Sequence, residues 1–155
     1  MAGGTALELA VLVGLPGAGK TSFFRTHLAG DHVHVSKDLM REARRRGERQ
    51  LVQIEAALRS GRSVAVDNTN PRVSDRSPLI AAGRAHGARV VGYYVDTAAR
   101  DCAARNRARE GRERVPDVAI YVAARRLERP ARSEGFDAVF RVRVADGGFE
   151  VTEEP

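Results

Sequence analysis

The sequence predicts an α/β fold, a three-layer sandwich in which helices cover both faces of a central parallel sheet of about five strands. Along the 155 residues, short apolar runs alternate with segments of helical periodicity, as expected for a chain that passes repeatedly from strand to helix. Gly30, Gly61 and Gly87 each follow a helical segment and precede an apolar run, which is where helix-ending glycines lie. The length is that of one domain.

The strands are predicted from the apolar runs, in chain order. They are Leu7–Val13, His32–Val35, Ser63–Asp67, Arg89–Val95 and Ala138–Val144. The sequence after the last run is polar and contains glycine. We therefore expect a single domain over residues 1–150 and a frayed tail over residues 151–155.

Helices are predicted between the strands, where apolar residues recur with helical spacing. They are Lys20–Leu28, Asp38–Arg46, Glu48–Ser60, Ser74–His86, Thr97–Arg109 and Asp117–Arg129. Pro78 lies inside one of these segments, and proline is best tolerated in the first turn of a helix. We expect that helix either to begin late enough to place Pro78 in its first turn or to begin as an irregular turn.

Composition limits the function classes. No apolar run approaches the ~18 residues of a membrane span, and Met1–Leu7 lacks the features of a signal peptide, so we expect a cytoplasmic protein that does not act at a membrane. Cys102 is the only cysteine, which excludes an intrachain disulfide, and no histidine lies in a zinc-ligand pattern with it. We expect Cys102 to be a buried helix residue.

The positive charge of the chain is concentrated in one segment. The net charge is +6, and residues 100–132 contain ten arginines and five acidic residues. This predicts an anionic partner for the segment. The alternative is a solvated arginine-rich face, because arginine replaces lysine throughout a chain with only two lysines.

Residues Gly14–Thr21 read GLPGAGKT after the first apolar run and match G-x-x-x-x-G-K-[ST] at every fixed position. Glycines allow successive backbone N–H groups to converge on a polyphosphate, and the lysine adds a positive charge. The motif predicts ATP binding, the alternative being a glycine turn without a ligand. The residues expected to bind ATP here are Gly14, Pro16, Gly17, Ala18, Gly19, Lys20, Thr21 and Ser22.

The remainder of the site is expected at the carboxyl ends of the other parallel strands. Asp67 ends a strand in the manner of a Walker B carboxylate, and we expect it to bind Mg²⁺ together with Thr21. The second strand leads to Asp38 and Arg41. Asp38 is either a catalytic base or an ordinary helix N-cap, and its position alone does not distinguish the two.

Several motifs together resemble a known family, the kinase domain of polynucleotide 5′-hydroxyl kinases, which belongs to the AAA_33-type P-loop kinases. The motifs are Gly14–Thr21, Val35-Ser36-Lys37-Asp38 with Arg41, Val66–Pro71, Arg105–Arg109 before Val115-Pro116, and Glu134-Gly135-Phe136. They occur in the family's order and cover nearly the whole chain. The guanine-binding pattern Asn-Lys-x-Asp of GTPases is absent.

The resemblance implies a nucleoside-kinase-like P-loop fold and specific roles. Lys20 and Thr21 would bind the β- and γ-phosphates and Mg²⁺, and Asp38 would accept the proton of the 5′-hydroxyl. Arg41 would hold the neighbouring phosphate of the acceptor. Arg109, in an arginine-rich lid that includes Arg105, would contact the donor phosphates. Contacts with the acceptor are also expected from Asp67, Thr69 and Asn70.

The hypothesis is therefore transfer of the γ-phosphate of ATP to the 5′-OH of a DNA or RNA end. Two alternatives stay open. One is a P-loop kinase of a small hydroxylated metabolite, a nucleoside or an aminoacyl-tRNA. The other is a non-catalytic nucleic-acid-binding module gated by nucleotide. The oligomeric state does not follow from the sequence.

Overall fold

A computed structural model describes residues 6–37, 45–111 and 114–155. Within these ranges, six strands form one sheet in the order β2-β3-β1-β4-β5-β6. The strands are β1 Glu8–Val13, β2 His32–Val35, β3 Ser63–Asp67, β4 Arg89–Val95, β5 Ala138–Ala145 and β6 Gly148–Glu154. The first five are parallel and β6 is antiparallel to β5. The predicted fold class is confirmed, with a sixth strand added.

The helices alternate with the parallel strands as predicted. They are α1 Lys20–Phe23, α2 Arg46–Arg59, α3 Val73–Ala85, α4 Ala99–Arg107 and α5 Asp117–Arg126. Helix α1 continues directly into a π-helical turn, Phe24–Leu28, and Arg132–Glu134 forms a short 3₁₀ helix. The predicted helix over Asp38–Arg46 falls largely on residues outside the described ranges. No helix in the described part of the chain is long and apolar enough to cross a membrane.

Side chains alternate between the two faces of the central strand β1, and each face supports one half of the core. Leu9, Val11 and Val13 pack in a cluster with residues of α2 and α3. Ala10 and Leu12 pack in a second cluster with residues of α1, α4 and α5. Strand β1 is thus buried on both sides, which makes it a rigid base for the segment that follows Val13.

The predicted frayed tail is wrong, because residues 148–154 form strand β6. The backbone of β6 pairs with β5 from Gly148 opposite Ala145 to Glu154 opposite Val139. Its sequence is polar because β6 is an edge strand, and Phe149 supplies an apolar contact, 5.4 Å from Phe23 between ring centroids. The Asp146-Gly147 pair, with Gly147 at φ 74°, is the signal for this hairpin.

Neither expectation for Pro78 is correct. Helix α3 begins at Val73, which makes Pro78 its sixth residue. The missing proline N–H would have bonded to the carbonyl of Ser74, and both residues are exposed. Water can therefore satisfy that carbonyl, which removes one part of the cost of the proline.

Helix α5 ends three residues before the predicted Arg129. Leu127 is already extended, at φ −68° and ψ 123°, and the N–H of Glu128 donates to the carbonyl of Pro71 at 2.7 Å. A contact distant in sequence thus replaces the next helical hydrogen bond. It places the segment after α5 beside the segment after β3.

Candidate active site

The glycine-rich loop links β1 to α1 and is held by its own lysine. Lys20 is buried, and its Nζ donates to the carbonyls of Gly14 at 2.9 Å and Leu15 at 2.8 Å. Gly17 and Gly19 have φ angles of 83° and 109°, a region that favours glycine. The predicted phosphate-binding loop therefore has the lysine, the glycine conformations and the helix N-terminus that such loops use.

Helix α4 packs directly on this loop. A Cβ at Gly17 would lie 2.6 Å from the carbonyl oxygen of Cys102. The carbonyl of Ala18 accepts hydrogen bonds from Thr97 Oγ1 at 2.8 Å and from Arg105 Nη1 at 3.3 Å. The Cys102 side chain is buried, as expected, and burial raises the pKa of its thiol. The first turns of α4 thus form one wall of the loop.

Thr21 and Asp67, the two predicted metal ligands, are in direct contact. Thr21 Oγ1 donates to Asp67 Oδ2 at 2.8 Å, although 46 residues separate them. Burial opposes ionisation of Asp67, but hydrogen bonds from His34 and Thr21 and the charge of Lys20 outweigh it and lower the pKa of the carboxyl. An ionised carboxylate and a hydroxyl beside the lysine fit Mg²⁺, which takes oxygen ligands. No cluster of three or more His, Cys, Asp and Glu side chains that could hold a metal was found among the described residues.

His34 is a site residue that the sequence analysis missed. Its Nε2 lies 2.8 Å from Asp67 Oδ2, the same oxygen that accepts from Thr21. The signal was the strand register: His34 is opposite Ala65, so Asp67, two residues further along β3, lies on the same face of the sheet.

Asn68 connects the end of β2 to the end of β3. Its Oδ1 accepts from the backbone N–H of Lys37 at 2.8 Å, and its Nδ2 donates to Gln50 on α2. The N–H of Gly14 donates to the carbonyl of Thr69 at 3.1 Å. Three segments therefore meet at the carboxyl ends of the parallel strands, as predicted: the glycine loop, the segment after β3 and the end of β2.

Asn70, for which a substrate contact was predicted, makes a structural contact. Its side chain is buried, and Nδ2 donates to the carbonyl of Leu12 at 2.8 Å. Its own φ is 45°, in the left-handed region that asparagine tolerates. The carbonyl of Asn70 in turn accepts from Arg76 Nη1 at 2.9 Å. The geometry thus assigns Asn70 to holding the segment after β3.

The arginine-rich segment begins on α4, where Arg105 lies beside the loop. Arg105 contacts Ala18, and Arg109 follows the helix end, half-buried, with its N–H donating to the carbonyl of Asn106 at 3.0 Å. Asn106 is fully buried, and its Oδ1 accepts from the N–H of Val115 at 2.9 Å. This contact joins the end of α4 to the segment that leads into α5.

A cavity of about 620 Å³ opens beside the loop, between α4 and the end of β5. Both Thr97 and Arg105, which contact Ala18, line it together with Asp101, Arg100 and Arg143. The cavity is therefore continuous with the residues that hold the phosphate-binding loop. Two predicted residues of the acceptor side, Asp38 and Arg41, lie outside the described residues.

The family model AAA_33, described as an AAA domain, matches residues 9–130. This chain belongs to the AAA_33 family. The recognition of the chain as a P-loop kinase domain is thereby confirmed, and the match extends from β1 to the segment after α5.

A curated relative of this AAA_33 domain is a protein of Acanthamoeba polyphaga mimivirus named as a bifunctional polynucleotide phosphatase/kinase. The two are 37% identical over 70 residues, which is 44% of this chain and 16% of the relative. The chain thus spans only a small part of that relative.

Two solved structures share the fold of this AAA_33 domain. A gluconokinase from Sinorhizobium meliloti 1021 has a TM-score of 0.64 at 21% identity, covering 90% of this chain and 83% of that one. A chain of a Pnkp1/Rnl/Hen1 complex has a TM-score of 0.58 at 21% identity, covering 67% of this chain and 40% of that one. At these identities the likeness concerns the fold.

Proposed function

We propose that this AAA_33 domain is an ATP-dependent polynucleotide 5′-hydroxyl kinase that transfers the γ-phosphate of ATP to the 5′-OH of a DNA or RNA end. The observation that carries the proposal is the Thr21–Asp67 contact of 2.8 Å beside buried Lys20. These three residues lie at the carboxyl ends of the parallel strands, as does the end of β2. There the backbone N–H of Lys37 donates a hydrogen bond to Asn68 at 2.8 Å. Asp38 follows directly in the chain.

On the donor side, Lys20 and the N–H groups of the loop bind the β- and γ-phosphates. Thr21 and Asp67 hold Mg²⁺, which supplies positive charge to the phosphate oxygens. Arg105, at 3.3 Å from the carbonyl of Ala18, and Arg109 bind the donor phosphates. The nucleoside occupies the cavity between α4 and β5.

On the acceptor side, Asp38 accepts the proton of the attacking 5′-hydroxyl as the new O–P bond forms and the bond to the β-phosphate oxygen breaks. Arg41 binds the adjacent acceptor phosphate, because a guanidinium can bind two phosphate oxygens at once. The hydrogen bond between Lys37 N–H and Asn68 supports the role of Asp38 as the base, since it fixes the backbone one residue before Asp38. Positioning and charge then supply most of the rate.

Transfer of label from γ-labelled ATP to a 5′-OH oligonucleotide tests the proposal, with the same oligonucleotide carrying a 5′-phosphate as the control acceptor. We expect label on the first only. Asp38→Asn keeps a good N-cap but cannot take the proton, so turnover should fall by about 10²–10⁴-fold with ATP affinity and melting temperature unchanged. Turnover above a third of the wild-type value would remove Asp38 as the base.

A small-molecule kinase is the second candidate, because the gluconokinase likeness covers 90% of this chain at a TM-score of 0.64. Gluconate and nucleosides should therefore be offered as acceptors in parallel. Salt separates the candidates further: the logarithm of the association constant for a single-stranded oligonucleotide should fall against log[salt] with a slope of about −0.7 per phosphate contact. Label on a small molecule with no salt-dependent oligonucleotide binding would replace the polynucleotide assignment.

Oligonucleotide binding without any label transfer would point to the third possibility, a nucleotide-gated binding module. In that case the affinity for the oligonucleotide should differ between the ATP-bound and nucleotide-free protein. Equal affinities in the two states would exclude gating.

A further inference from the structure

His34 contacts Asp67, one of the two predicted Mg²⁺ ligands, although it is not part of the P-loop motif. Its Nε2 lies 2.8 Å from Asp67 Oδ2, and the two side chains are 26% and 5% exposed. The imidazole ring is stacked on Phe24, with ring centroids 4.2 Å apart and an angle of 19° between the planes. The ring is therefore held on one side by an aromatic contact and at its tip by a hydrogen bond.

The two contacts of His34 connect three elements of the site. His34 is on β2, Asp67 ends β3, and Phe24 begins the π-helical turn that continues α1 from Thr21. The turn closes with the N–H of Ala29 donating to the carbonyl of Phe24 at 2.8 Å. Such turns inside helices are frequent at functional sites. His34 thus rests on the helix that carries one predicted Mg²⁺ ligand and bonds to the other.

The hydrogen bond also limits how Asp67 can orient. Oδ2 accepts from both Thr21 Oγ1 and His34 Nε2, each at 2.8 Å. With two donors from different elements on one oxygen, the carboxylate has little freedom to rotate about χ2. Its other oxygen, Oδ1, is then presented in a fixed direction.

We propose that His34 is a positioning residue, which holds the Asp67 carboxylate in the orientation that binds Mg²⁺ and so sets the magnesium affinity of the nucleotide site. Residues that orient a metal ligand in this way typically contribute 10- to 100-fold in metal affinity or activity. The inference rests on the nucleotide-binding part of the proposed function and does not depend on the identity of the acceptor.

The test compares ADP affinity with and without Mg²⁺, measured by titration calorimetry, in variants that separate the two contacts. His34→Phe keeps an aromatic ring for Phe24 and removes the donor to Asp67. His34→Gln keeps an N–H donor of similar reach. His27→Phe is the matched control. The exposed His27 ring lies in the same helical segment and stacks on Phe23 at 4.7 Å, and its other contacts described here are with Thr26 and Phe149 rather than with Asp67.

We expect His34→Phe to reduce the gain in ADP affinity from Mg²⁺ by about 10- to 100-fold, and to raise the Mg²⁺ concentration for half-maximal phosphoryl transfer. Affinity for ADP without Mg²⁺ and the melting temperature should stay unchanged. His34→Gln should restore most of the gain, and His27→Phe should match the wild type.

An unchanged Mg²⁺ gain in His34→Phe would overturn the proposal. An equal loss of ADP affinity with and without Mg²⁺ would also overturn it, because that result describes a general structural role. If His34→Phe does not fold, His34→Asn, whose amide is too short to reach Oδ2, takes its place with the same two outcomes. A protein that binds MgADP as expected but labels no polynucleotide would refute the proposed substrate and leave the role of His34 intact.

Discussion

Arg76 on α3 and Glu134 in the 3₁₀ helix form a bidentate ion pair. Nε and Nη2 of the guanidinium donate to the two carboxylate oxygens at 2.8 and 2.9 Å. Arg76 is fully buried and the Glu134 side chain is 7% exposed. The guanidinium also donates through Nη1 to the carbonyl of Asn70 at 2.9 Å. Arg76 therefore links α3, the 3₁₀ helix and the segment after β3.

We expect Arg76→Met to destabilise the protein by about 3–5 kcal/mol, because it leaves Glu134 as a buried charge without its partner. Urea unfolding measures the loss. Arg84→Met is the control on the same helix: its pair with Asp137 is 3.8 Å long and about half exposed, which predicts a change of about 0–1 kcal/mol. Similar losses in both variants would contradict the structural role of the Arg76 pair.

Gly17→Ala should damage the nucleotide site more than an equivalent change elsewhere. Gly61 is the matched control, since its φ of 82° is close to the 83° of Gly17, and a Cβ there would meet nothing within 4 Å. Gly61→Ala should cost about 1–2 kcal/mol from the left-handed conformation alone. Gly17→Ala adds a contact of 2.6 Å with the Cys102 carbonyl, so it should lose more stability and also ADP affinity. Equal effects on both quantities would mean that the contact with α4 is unimportant.

Lys20→Met should separate nucleotide binding from stability. The cost of desolvating the buried ammonium offsets its two hydrogen bonds to the loop carbonyls, so its removal should change the free energy of unfolding little. Because hydrogen bonds to charged groups contribute about 1.5–3 kcal/mol, the Kd for ADP should rise about 10- to 100-fold. Arg25→Met, an exposed position in the same helical segment, should leave the Kd unchanged. A wild-type Kd in Lys20→Met would remove the phosphate role of the loop.

His32, the first residue of β2, makes the free energy of unfolding depend on pH. Burial opposes its protonation, but hydrogen bonds to Glu8 and Asp31 outweigh this and raise its pKa above 6.5; Nε2 lies 3.0 Å from Glu8 and Nδ1 lies 2.7 Å from Asp31. A group whose pKa is raised by folding stabilises the protein fully below its unfolded pKa, and this contribution is lost as pH rises through the folded pKa. Glu8 also pairs with Arg89, at 3.6 Å.

Unfolding free energies measured at steps between slightly acidic and mildly alkaline pH check this. The wild type should lose stability as the pH rises above 6.5, and His32→Gln should show a smaller loss over the same range. His86→Gln serves as the control histidine, as it has no ion pair among those described. A pH profile of His32→Gln that is parallel to the wild type would show that Glu8 and Asp31 do not hold the protonated form.

The donor half of the site could be predicted because its signals are local. The residues from Gly14 to Thr21 are contiguous, and Asp67 ends an apolar strand. His34 was missed because its contact depends on the register between β2 and β3. Arg76 was missed for a related reason: on a helix it resembles a solvated charge, and its partner Glu134 is 58 residues away.

Edges of the fold were also harder to predict than its centre. Strand β1 is apolar at every position after Glu8 and buried on both faces, which a continuous apolar run signals. Strand β6 pairs only with β5, and its other edge is exposed. Its two apolar residues, Phe149 and Val151, alternate with polar residues. The turn at Asp146-Gly147 was a better indicator of this strand than hydrophobicity.

The burial of Cys102 offers a practical consequence for spectroscopy. It is the only cysteine in the chain, its side chain is inaccessible, and burial raises the pKa of the thiol, so maleimide dyes should not modify it in the folded protein. A cysteine introduced at exposed Asp146, in the turn that follows the cavity residues Arg143 and Val144, would then be labelled alone. A fluorophore there would lie at the rim of the cavity between α4 and β5. If the nucleoside occupies this cavity, as proposed, the dye would report nucleotide exchange in real time, with the native thiol left in place.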